Sequence, residues 1–385
     1  MKILFVTEYY APHIGGVEIV VQEVAERLVR LGHKVYVVTS RVPHSSAHYE
    51  EINGVKVHRI SVPKKGGRYW FDSFLPVPEI LKLGRSCHII HVADYVNAFP
   101  AWLASKLLTK KSVMTVHEPL KEMWRELMGM NYFSAKLHQF AERILLLLPF
   151  HKYVCVSEST AKRLRSINRS IKDENLTVIY NGLDNESFNP SKADGSKVRE
   201  ELNLDDGFIY MSFGRPGISK GIEYLIGAVP LIARQIPHSK LLLILSRNPE
   251  DRYKVVTKMI QDLDIGNKVV LLDPVSRNEL PNYIAASDCV VVPSLSEGFG
   301  FTAAEACAMG KPVVATNVGS LPEVVSGKYV LVEPRNPEAI AEGVEKVYKG
   351  EVEDSPRKVF SWYECVERYL KVYEQLIRNN ESISS

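Results

Sequence analysis

Short apolar segments alternate with amphipathic segments along the first half of the chain. Six β-rich runs recur: ILFVT (3–7), VYVVT (35–39), VKVHRI (55–60), HIIHV (88–92), SVMTV (112–116) and YVCVS (153–157). Their continuous rather than alternating apolarity indicates strands that are covered on both faces, as in a parallel sheet. Between them lie helical patterns such as EIVVQEVAERLVRLGHK, which ends at Gly32 as a capped helix does. The pattern predicts an alternating β/α domain.

The composition of the chain changes between residues 180 and 197. The segment YNGLDNESFNPSKADGSK is rich in turn-forming residues and lacks hydrophobic periodicity. A second series of apolar runs follows: FIYMSFG (208–214), KLLLIL (240–245), KVVLL (268–272), DCVVVPS (288–294), KPVVAT (311–316) and YVLVE (329–333). The sequence therefore predicts an α/β protein with two Rossmann-like, doubly wound parallel-sheet domains, 1–185 and 186–361. We expect the amphipathic helix at 362–380 to pack back onto the first domain.

Length and charge agree with two unlike halves. A chain of 385 residues and 43.4 kDa is long for one domain. Residues 1–185 carry 25 Lys and Arg against 17 Asp and Glu, a net charge of +8, whereas the remainder carries 23 against 28, a net charge of −5. An anionic partner and a merely solvated basic surface explain the basic half equally well. Nucleic acid is not indicated, because the basic half lacks a binding motif and aromatic interleaving.

Cysteine use and the length of the apolar runs favour a cytoplasmic location. The five cysteines lie singly in apolar segments, without the spacing of a disulfide framework or a zinc site. The apolar run within MKILFVTEYYAPH is too short for a secretory signal. None of the windows reaches the roughly 20 apolar residues that cross a bilayer, so we expect no membrane-spanning helix.

Four loops that leave predicted strands carry the candidate chemistry, because ligands of open parallel sheets bind outside the carboxyl ends of the strands. The first, EYYAPHIGGVE, has Gly15 and Gly16 before a helix, where backbone amides can approach a phosphate. The second, FGRPGISKGIEYL, offers Arg215 and Lys220 beside three glycines, which suits a diphosphate. Ordinary turn chemistry and solvated cations are the alternatives for these two loops.

The third loop, SEGFGFTAAEACAMG (296–310), contains two acids, Glu297 and Glu305, separated by seven residues. A strand ends and a helix begins here, so free N–H groups form a cradle for an anion or hydroxyl at Gly298, Phe299, Gly300, Phe301 and Thr302. Glu305 is the one charged residue in a helix of Ala, Cys and Met, and it must have a partner, for which a sugar diol is suited. Stabilisation by the helix dipole, and simple solvation of Glu297, are the alternatives.

The fourth loop, TVHEP, places His117 directly after a strand of the first domain. Ten other histidines are present, and a lone histidine at a strand end is more often a structural hydrogen-bonding residue than a catalyst. We keep His117 as a candidate because it lies on the rim formed by the loops.

Together and in this order, these residues resemble the retaining glycosyltransferases of family 4, which have the GT-B fold. The resemblance spans nearly the whole chain, and the two acids of the third loop are its most specific element. It is carried by Gly15 and Gly16, by NGLD with Phe188, by Arg215 with Lys220, by PSLSEGFGFTAAEACAMGKPVVAT, and by Pro322 with Glu323. Pro216 and Ser320 depart from the family pattern, which usually has an aliphatic residue and a second glycine there, so local loop geometry is expected to differ.

The resemblance implies a nucleotide-diphosphate sugar held between two domains that face each other across a cleft, mainly by the second domain. It implies no metal and no other cofactor. Arg215 and Lys220 would neutralise the diphosphate leaving group as the glycosidic bond breaks. Gly16 and the amides of Phe301 and Thr302 would add N–H donors.

The resemblance also implies roles around the sugar. Glu305 would bind the ribose hydroxyls, Glu297 would face the transferred sugar, and His117 would lie beside it. The reaction would move a hexosyl unit to an acceptor hydroxyl with retention, by front-face displacement through an oxocarbenium-like transition state. No protein nucleophile is assigned.

Two segments of the first domain suit a lipid-linked or phosphorylated acceptor. The loop KKGGRYW (64–70) and the segment SAKLHQFAERILLLLPF (134–150) combine basic and apolar residues. For the second segment a buried core helix is favoured over a membrane helix. Peripheral contact with the inner face of a membrane stays open.

Two other functions fit the same residues. A nucleotide-sugar epimerase or hydrolase on a similar two-domain frame would form free sugar at full rate without an acceptor. A non-catalytic nucleotide-binding protein would bind nucleotide tightly without turnover. The intact pairs of acids and cations favour the transferase.

Overall fold

The computed structural model describes residues 1–13, 15–64, 66, 71–204 and 206–381. The chain divides into two compact units. The first unit contains Met1–Glu122, Tyr132–Gly182 and the chain from Ser361, and the second contains Met123–Asn131 and Leu183–Phe360. The short segment 123–131 therefore groups with the second unit, although it lies within the predicted first domain, 1–185.

The strands of the described residues are numbered in chain order. They are β1 (Lys2–Val6), β2 (Lys34–Ser40), β3 (Tyr49–Ile52), β4 (Val55–Ile60), β5 (Ile89–Val92), β6 (Lys111–Val116), β7 (Lys152–Cys155), β8 (Leu176–Val178), β9 (Ile209–Gly214), β10 (Lys240–Leu245), β11 (Val269–Leu272), β12 (Cys289–Val292), β13 (Val313–Thr316), β14 (Gly327–Val332) and β15 (Glu353–Ser355).

The α-helices of the described residues are numbered in the same way. They are α1 (Gly16–Arg30), α2 (Val77–Gly84), α3 (Ala98–Leu107), α4 (Trp124–Leu127), α5 (Tyr132–Leu147), α6 (Glu158–Ile167), α7 (Gly195–Glu201), α8 (Ile222–Gln235), α9 (Glu250–Asp262), α10 (Leu280–Ala286), α11 (Phe301–Ala308), α12 (Leu321–Val324), α13 (Pro337–Lys349) and α14 (Trp362–Glu381).

The first unit is built on a sheet of eight strands in the order β3-β4-β2-β1-β5-β6-β7-β8. Neighbouring strands are parallel except β3 and β4, which form an antiparallel hairpin. The hairpin turns at Asn53 and Gly54, whose φ angles of 49° and 82° suit a tight two-residue turn. The direction of chain progression reverses between β1 and β5, so the loops after these strands flank the expected ligand crevice of this sheet.

The second unit is built on a sheet of seven strands in the order β11-β10-β9-β12-β13-β14-β15. Its strands are parallel except for the pair β14 and β15. The chain proceeds outward from β9 to β10 and β11 on one side, and from β12 to β13 and β14 on the other. The predicted fold class, two parallel-sheet α/β domains, is confirmed, and each of the twelve predicted runs coincides with a strand.

Both sheets are covered on their two faces, as the continuous apolar runs predict. The cysteines at positions 87, 155, 289, 307 and 365 are free and buried. Fully buried strand residues include Leu4, Ile90 and Met114 in the first unit and Leu243, Val291 and Val314 in the second.

The C-terminal helix α14 belongs to the first unit and lies against α1. Its buried side chains recur at helical spacing: Trp362, Cys365, Val366, Tyr369, Val372 and Tyr373. A buried polar network ties it to the sheet, since His91 Nδ1 lies 2.6 Å from the Tyr373 hydroxyl and His91 Nε2 lies 2.8 Å from Thr115 Oγ1. Burial lowers the pKa of His91 to about 3, so this imidazole is neutral near pH 7.

Helix α5 differs from the buried core helix predicted at 134–150. Its inner face buries Ala135, Glu142 and Leu146, but its outer face exposes several large apolar side chains. The prediction is therefore wrong for the outer face. Among the described residues, none of the helices has both the length and the apolar character of a bilayer-spanning segment. The other predicted acceptor segment, 64–70, lies outside the described residues except for Lys64 and Gly66.

Replacing Tyr373 with Phe tests the tie between α14 and the sheet. The substitution leaves Nδ1 of His91 buried without this partner, so we expect the free energy of unfolding to fall by about 1–3 kcal/mol. Tyr363→Phe is the matched control, because Tyr363 lies on the same helix and is 73% exposed. Urea unfolding at pH 7 measures both variants, and a Tyr373→Phe protein as stable as the control would contradict this role.

Candidate functional site

The site of the second unit lies at the carboxyl ends of β9 and β12. These strands are neighbours at the point where the direction of the sheet reverses, which is where open α/β sheets bind ligands. The loop 215–221 leaves β9, and the loop 293–300 leaves β12. The second and third predicted loops are therefore brought side by side.

The two loops are joined through their backbones. The N–H of Leu295 donates to the carbonyl of Ser219 at 2.7 Å. Gly221 has a φ of 61°, and a Cβ at this position would clash with the carbonyl oxygen of Pro293. Only glycine permits both this left-handed conformation and this close approach. The backbone contacts thus fix the position from which the Lys220 side chain extends.

An ion pair links the two loops through their side chains. Lys220 Nζ donates to Glu297 Oε1 at 2.6 Å, and Ser294 Oγ donates to the same oxygen at 2.8 Å. Glu297 is 8% exposed, so its charge is largely withdrawn from water and is compensated by these donors. The sequence places Lys220 on a diphosphate and Glu297 on a sugar, and the structure adds that the two side chains bind each other.

The backbone of Glu297 is held by the loop after β13. The N–H of Ser320 donates to the carbonyl of Glu297 at 3.1 Å. Gly319 takes a φ of 54°, whereas Ser320 has a φ of −85°. Because Gly319 alone supplies the left-handed conformation, the departure from a Gly-Gly pair at Ser320 is accommodated.

Arg215 lies on the same loop as Lys220 and directly follows Gly214, whose φ is 141°. It is exposed, and it forms no ion pair with any residue in the described part of the chain. The loop therefore presents one cation held by a carboxylate and a second cation in solvent. Both are predicted site residues.

Helix α11 begins beside Glu297. Gly300 caps it with a φ of 89°, and the first intrahelical bond runs from the N–H of Ala304 to the carbonyl of Gly300 at 3.1 Å. The amides of Phe301 and Thr302 precede that bond and belong to the free N–H groups of the helix start. Gly298 and Phe299 are buried, and the ring of Phe299 packs edge-on against Phe301 at 5.0 Å.

Glu305 has a protein partner that the sequence did not identify. Arg277 Nη2 lies 3.2 Å from Glu305 Oε1, and the guanidinium carbon lies 5.3 Å from the centre of the Phe188 ring. Burial raises the pKa of Glu305 to about 7, and Arg277 opposes that rise. The Ala-rich composition of the helix indicated that Glu305 needs a partner. No pattern in the sequence identified Arg277, in the loop 273–279, as that partner.

The predicted glycine pair of the first unit lies at the start of α1, after β1. Gly15 is the residue before the helix, and a Cβ there would clash with the carboxylate of Glu18. A Cβ at Gly16 would meet nothing within 4 Å. The helix start is therefore open at Gly16, while Glu18, 3.4 Å from His13 Nδ1, lies close to Gly15.

His117 directly follows β6 and is buried. It forms a hydrogen bond with the backbone of Ala93, which follows β5, and burial lowers the pKa of His117 to about 4. The ring is therefore neutral near pH 7. Nε2 is buried and has no hydrogen-bond partner among the described residues. A neutral imidazole with an unpartnered nitrogen can bind a hydroxyl, but it carries no positive charge.

The predicted residues are thus divided between the two units. Lys220 and Glu297 are in direct contact in the second unit, and Glu305 is bound to Arg277. The glycine pair and His117 lie after strands of the first sheet. Among the described residues, no three His, Cys, Asp or Glu side chains gather as they would around a metal ion.

Sequence comparison finds similarity to glycosyltransferases. Residues 195–361 match the family described as "Glycosyl transferases group 1", and residues 14–187 match "Glycosyltransferase Family 4". The chain is 32% identical to an uncharacterized glycosyltransferase of Methanocaldococcus jannaschii, over 90% of this chain and 89% of the relative. It is 23% identical to the gpi3 subunit of phosphatidylinositol N-acetylglucosaminyltransferase of Schizosaccharomyces pombe, over 97% of this chain and 81% of the relative.

Solved structures share the fold. Sucrose-phosphate synthase from Thermosynechococcus elongatus superposes with a TM-score of 0.79 at 20% identity, over 98% of this chain and 99% of that chain. Anabaena HepE in complex with UDP-glucose superposes with a TM-score of 0.73 at 20% identity, over 97% of this chain and 100% of that chain.

The raised pKa of Glu305 predicts a pH dependence of stability. A carboxyl group whose folded pKa exceeds its unfolded value stabilises the protein at low pH, and this contribution is lost as the pH rises from about 4.5 to about 7. The loss is of the order of 3 kcal/mol for a shift of this size. We expect Glu305→Gln to remove that part of the pH dependence when urea unfolding is compared at pH 5 and pH 8.5.

The matched control for this measurement is Glu338→Gln, an exposed acid of the same unit. It should keep the pH dependence of the unmodified protein. An identical pH dependence of Glu305→Gln and the unmodified protein would contradict the assignment of a buried, protonatable carboxyl to Glu305.

Proposed function

The chain belongs to family 4 of the glycosyltransferases and is a glycosyltransferase of the GT-B fold, and on this basis we propose that it moves a hexosyl unit from a nucleotide-diphosphate sugar to an acceptor hydroxyl with retention. The observation that carries the proposal is the ion pair of Lys220 and Glu297 at the switch point of the second sheet, with Arg215 on the same loop. A pair of cations on this loop matches the charge of a diphosphate.

The diphosphate binds to the loop 215–221. The guanidinium of Arg215 can hold two phosphate oxygens at once, and the ammonium of Lys220 acts as a point charge. Lys220 is already positioned by Glu297, so little ordering is required when the donor binds. The amides of Phe301 and Thr302 add N–H donors. These groups supply the positive charge that the leaving group requires, so we propose that no metal takes part.

The ribose of the donor binds to Glu305. A carboxylate accepts hydrogen bonds from both hydroxyls of a diol, and only its ionised form offers acceptors alone. Arg277 favours the ionised form, which burial disfavours. Arg277 therefore joins the site as a positioning residue that acts through Glu305.

In the chemical step, the bond from C1 of the sugar to the diphosphate oxygen breaks, and its electron pair leaves with the diphosphate. The acceptor oxygen forms its bond to C1 on the same face, and the acceptor proton passes to the departing phosphate oxygen. Glu297 is engaged by Lys220 and Ser294, which suits a residue that orients the sugar rather than one that attacks C1. His117, neutral and with Nε2 unpartnered, offers a hydrogen-bond acceptor to a sugar hydroxyl.

The printed descriptions of similar proteins support the ligand classes. Anabaena HepE is described in complex with UDP-glucose, which supports a nucleotide-diphosphate hexose as the donor. The Schizosaccharomyces pombe relative is named as a subunit of phosphatidylinositol N-acetylglucosaminyltransferase, which supports a lipid-linked or phosphorylated acceptor.

The donor assignment predicts the effect of removing each cation. A thermal-shift panel of UDP, GDP and ADP sugars first identifies the donor, because a ligand that binds the folded state raises its apparent stability. With that donor and a panel of phospholipid and sugar-phosphate acceptors, we expect Lys220→Ala and Arg215→Ala each to lower kcat/KM for transfer by roughly 100-fold or more.

Lys258→Ala, which removes an exposed cation on α9, is the control and should leave transfer unchanged. Arg215→Ala separates a loss of donor binding from a loss of folding. Arg215 is exposed and makes no ion pair among the described residues, so we expect this variant to fold normally. Unchanged transfer by both site variants would refute the diphosphate assignment. Free sugar formed at full rate without an acceptor would instead favour a hydrolase.

A further inference from the structure

The outer face of α5 carries a row of exposed apolar side chains. We call this row the outer stripe, and its members are Phe133, Leu137, Phe140, Ile144 and Leu147. Their spacing of four, three, four and three residues places them on one narrow face of the helix. Phe133 is 84% exposed and Phe140 is 63% exposed. The stripe cannot be the core-facing side of α5, because Ala135, Glu142 and Leu146 lie buried on the opposite face.

A contiguous exposed row of this kind marks an interaction surface. Exposing these apolar side chains to water is unfavourable, and burying them in a partner protein or in a lipid surface removes that unfavourable term. The charges beside the stripe decide between these occupants. Lys136 and Arg143 are exposed and lie along one edge of the stripe, whereas the acid of the helix, Glu142, is buried.

Glu142 does not offset these cations at the surface. Its carboxylate accepts the N–H groups of Leu120 at 2.7 Å and of Lys121 at 2.8 Å. From residue 132 to residue 174 the chain carries eight Lys and Arg against four Asp and Glu, a net charge of +4. Asp173 and Glu174 pair with Arg165 and Lys172, and Glu142 is buried, so the two cations at the edge of the stripe are not offset by an exposed acid of α5.

A basic cavity adjoins the same edge of the stripe. It has a volume of about 570 Å³ and lies between α5, α6 and the segment before α4, within the first unit. Its cations are Lys121, Arg143 and Arg169, and its acids are Glu122 and the backbone-bound Glu142. Arg143 contributes both to the edge of the stripe and to the cavity.

From this arrangement we infer that the outer stripe inserts into the surface of an anionic bilayer and that the basic cavity beside it takes phosphate-bearing lipid headgroups. Apolar residues along one helix face with cations at its edge are what an interfacial helix requires. A second copy of this chain is disfavoured, because pairing two such helices would bring the cationic edges together without an exposed acid on either helix. This membrane-binding surface would bring the protein to the proposed lipid-linked acceptor. The inference rests on the proposed function only for the reason why a membrane is bound.

The test is sedimentation of the full chain with lipid vesicles, which does not depend on sugar transfer. We expect binding to vesicles of phosphatidylcholine and phosphatidylglycerol at 3:1, weakened by 0.5 M salt, and little binding to phosphatidylcholine alone. The double variant Phe133→Ser with Phe140→Ser should lower the bound fraction at least about tenfold. Leu107→Ser is the matched control, since Leu107 is 63% exposed on α3 of the same unit, and it should bind like the unmodified protein.

A second pair of variants tests the charge. Arg143→Glu with Arg169→Glu should weaken binding to the anionic vesicles, whereas Arg85→Glu, an exposed cation elsewhere in the unit, should not. All six substituted residues of the two tests are exposed, and far-ultraviolet circular dichroism checks that each variant folds. Three results would overturn the inference: no sedimentation with anionic vesicles, full binding by the double Ser variant, or a dimer that this variant abolishes without any vesicle binding. If the unmodified protein binds anionic vesicles but transfers no sugar, the proposed function is refuted and the membrane inference stands.

Discussion

The ion pair of Lys220 and Glu297 is the interaction on which the proposed site depends. Glu297 is nearly buried, and an unpaired carboxylate in such a place costs several kcal/mol. The cost is offset by Lys220 and Ser294, which donate to the same carboxylate oxygen. Because Lys220 follows β9 and Glu297 follows β12, the pair fixes the two loops that flank the reversal of the sheet. One constraint therefore sets the position of both a cation and an acid.

The two units share a parallel sheet that reverses direction at one point, but their candidate residues differ in charge. Each sheet reverses direction between two parallel strands, and each places its candidate residues in loops that leave strands. In the second unit three of the predicted residues carry charges held in ion pairs, Lys220 with Glu297 and Glu305 with Arg277, and Arg215 is an exposed cation. In the first unit His117 is neutral, and Gly16 offers open backbone. The charged candidate residues thus lie in the second unit, and the candidates of the first unit are uncharged.

The structural features that were predictable from the sequence are those that depend on local patterns. Continuous apolar runs predicted the buried strands, because a parallel strand must be apolar on both faces. The short β3 was missed, although Asn53 and Gly54 carry a hairpin signal. Glycines at turns and cations after strands predicted the loops of the site. The roles of these residues toward a substrate remain predictions.

The features that could not be predicted from the sequence depend on contacts between segments that are far apart along the chain. Arg277 reaches Glu305 from a loop after another strand, and no spacing in the chain encodes that contact. The pairing of Lys220 with Glu297 likewise follows from the adjacency of β9 and β12. Periodicity predicted a helix near 134–150 but not which face is buried, since α5 has large apolar side chains on its outer face and buries Glu142 on the inner one.

A crystal structure of the protein with UDP, or with whichever nucleoside diphosphate binds most tightly, tests the proposed diphosphate site directly. We expect phosphate oxygens within hydrogen-bonding distance of Lys220 Nζ and of the Arg215 guanidinium, with Glu297 still bound to Lys220. A nucleotide whose phosphates lie away from both cations would contradict the proposed diphosphate site.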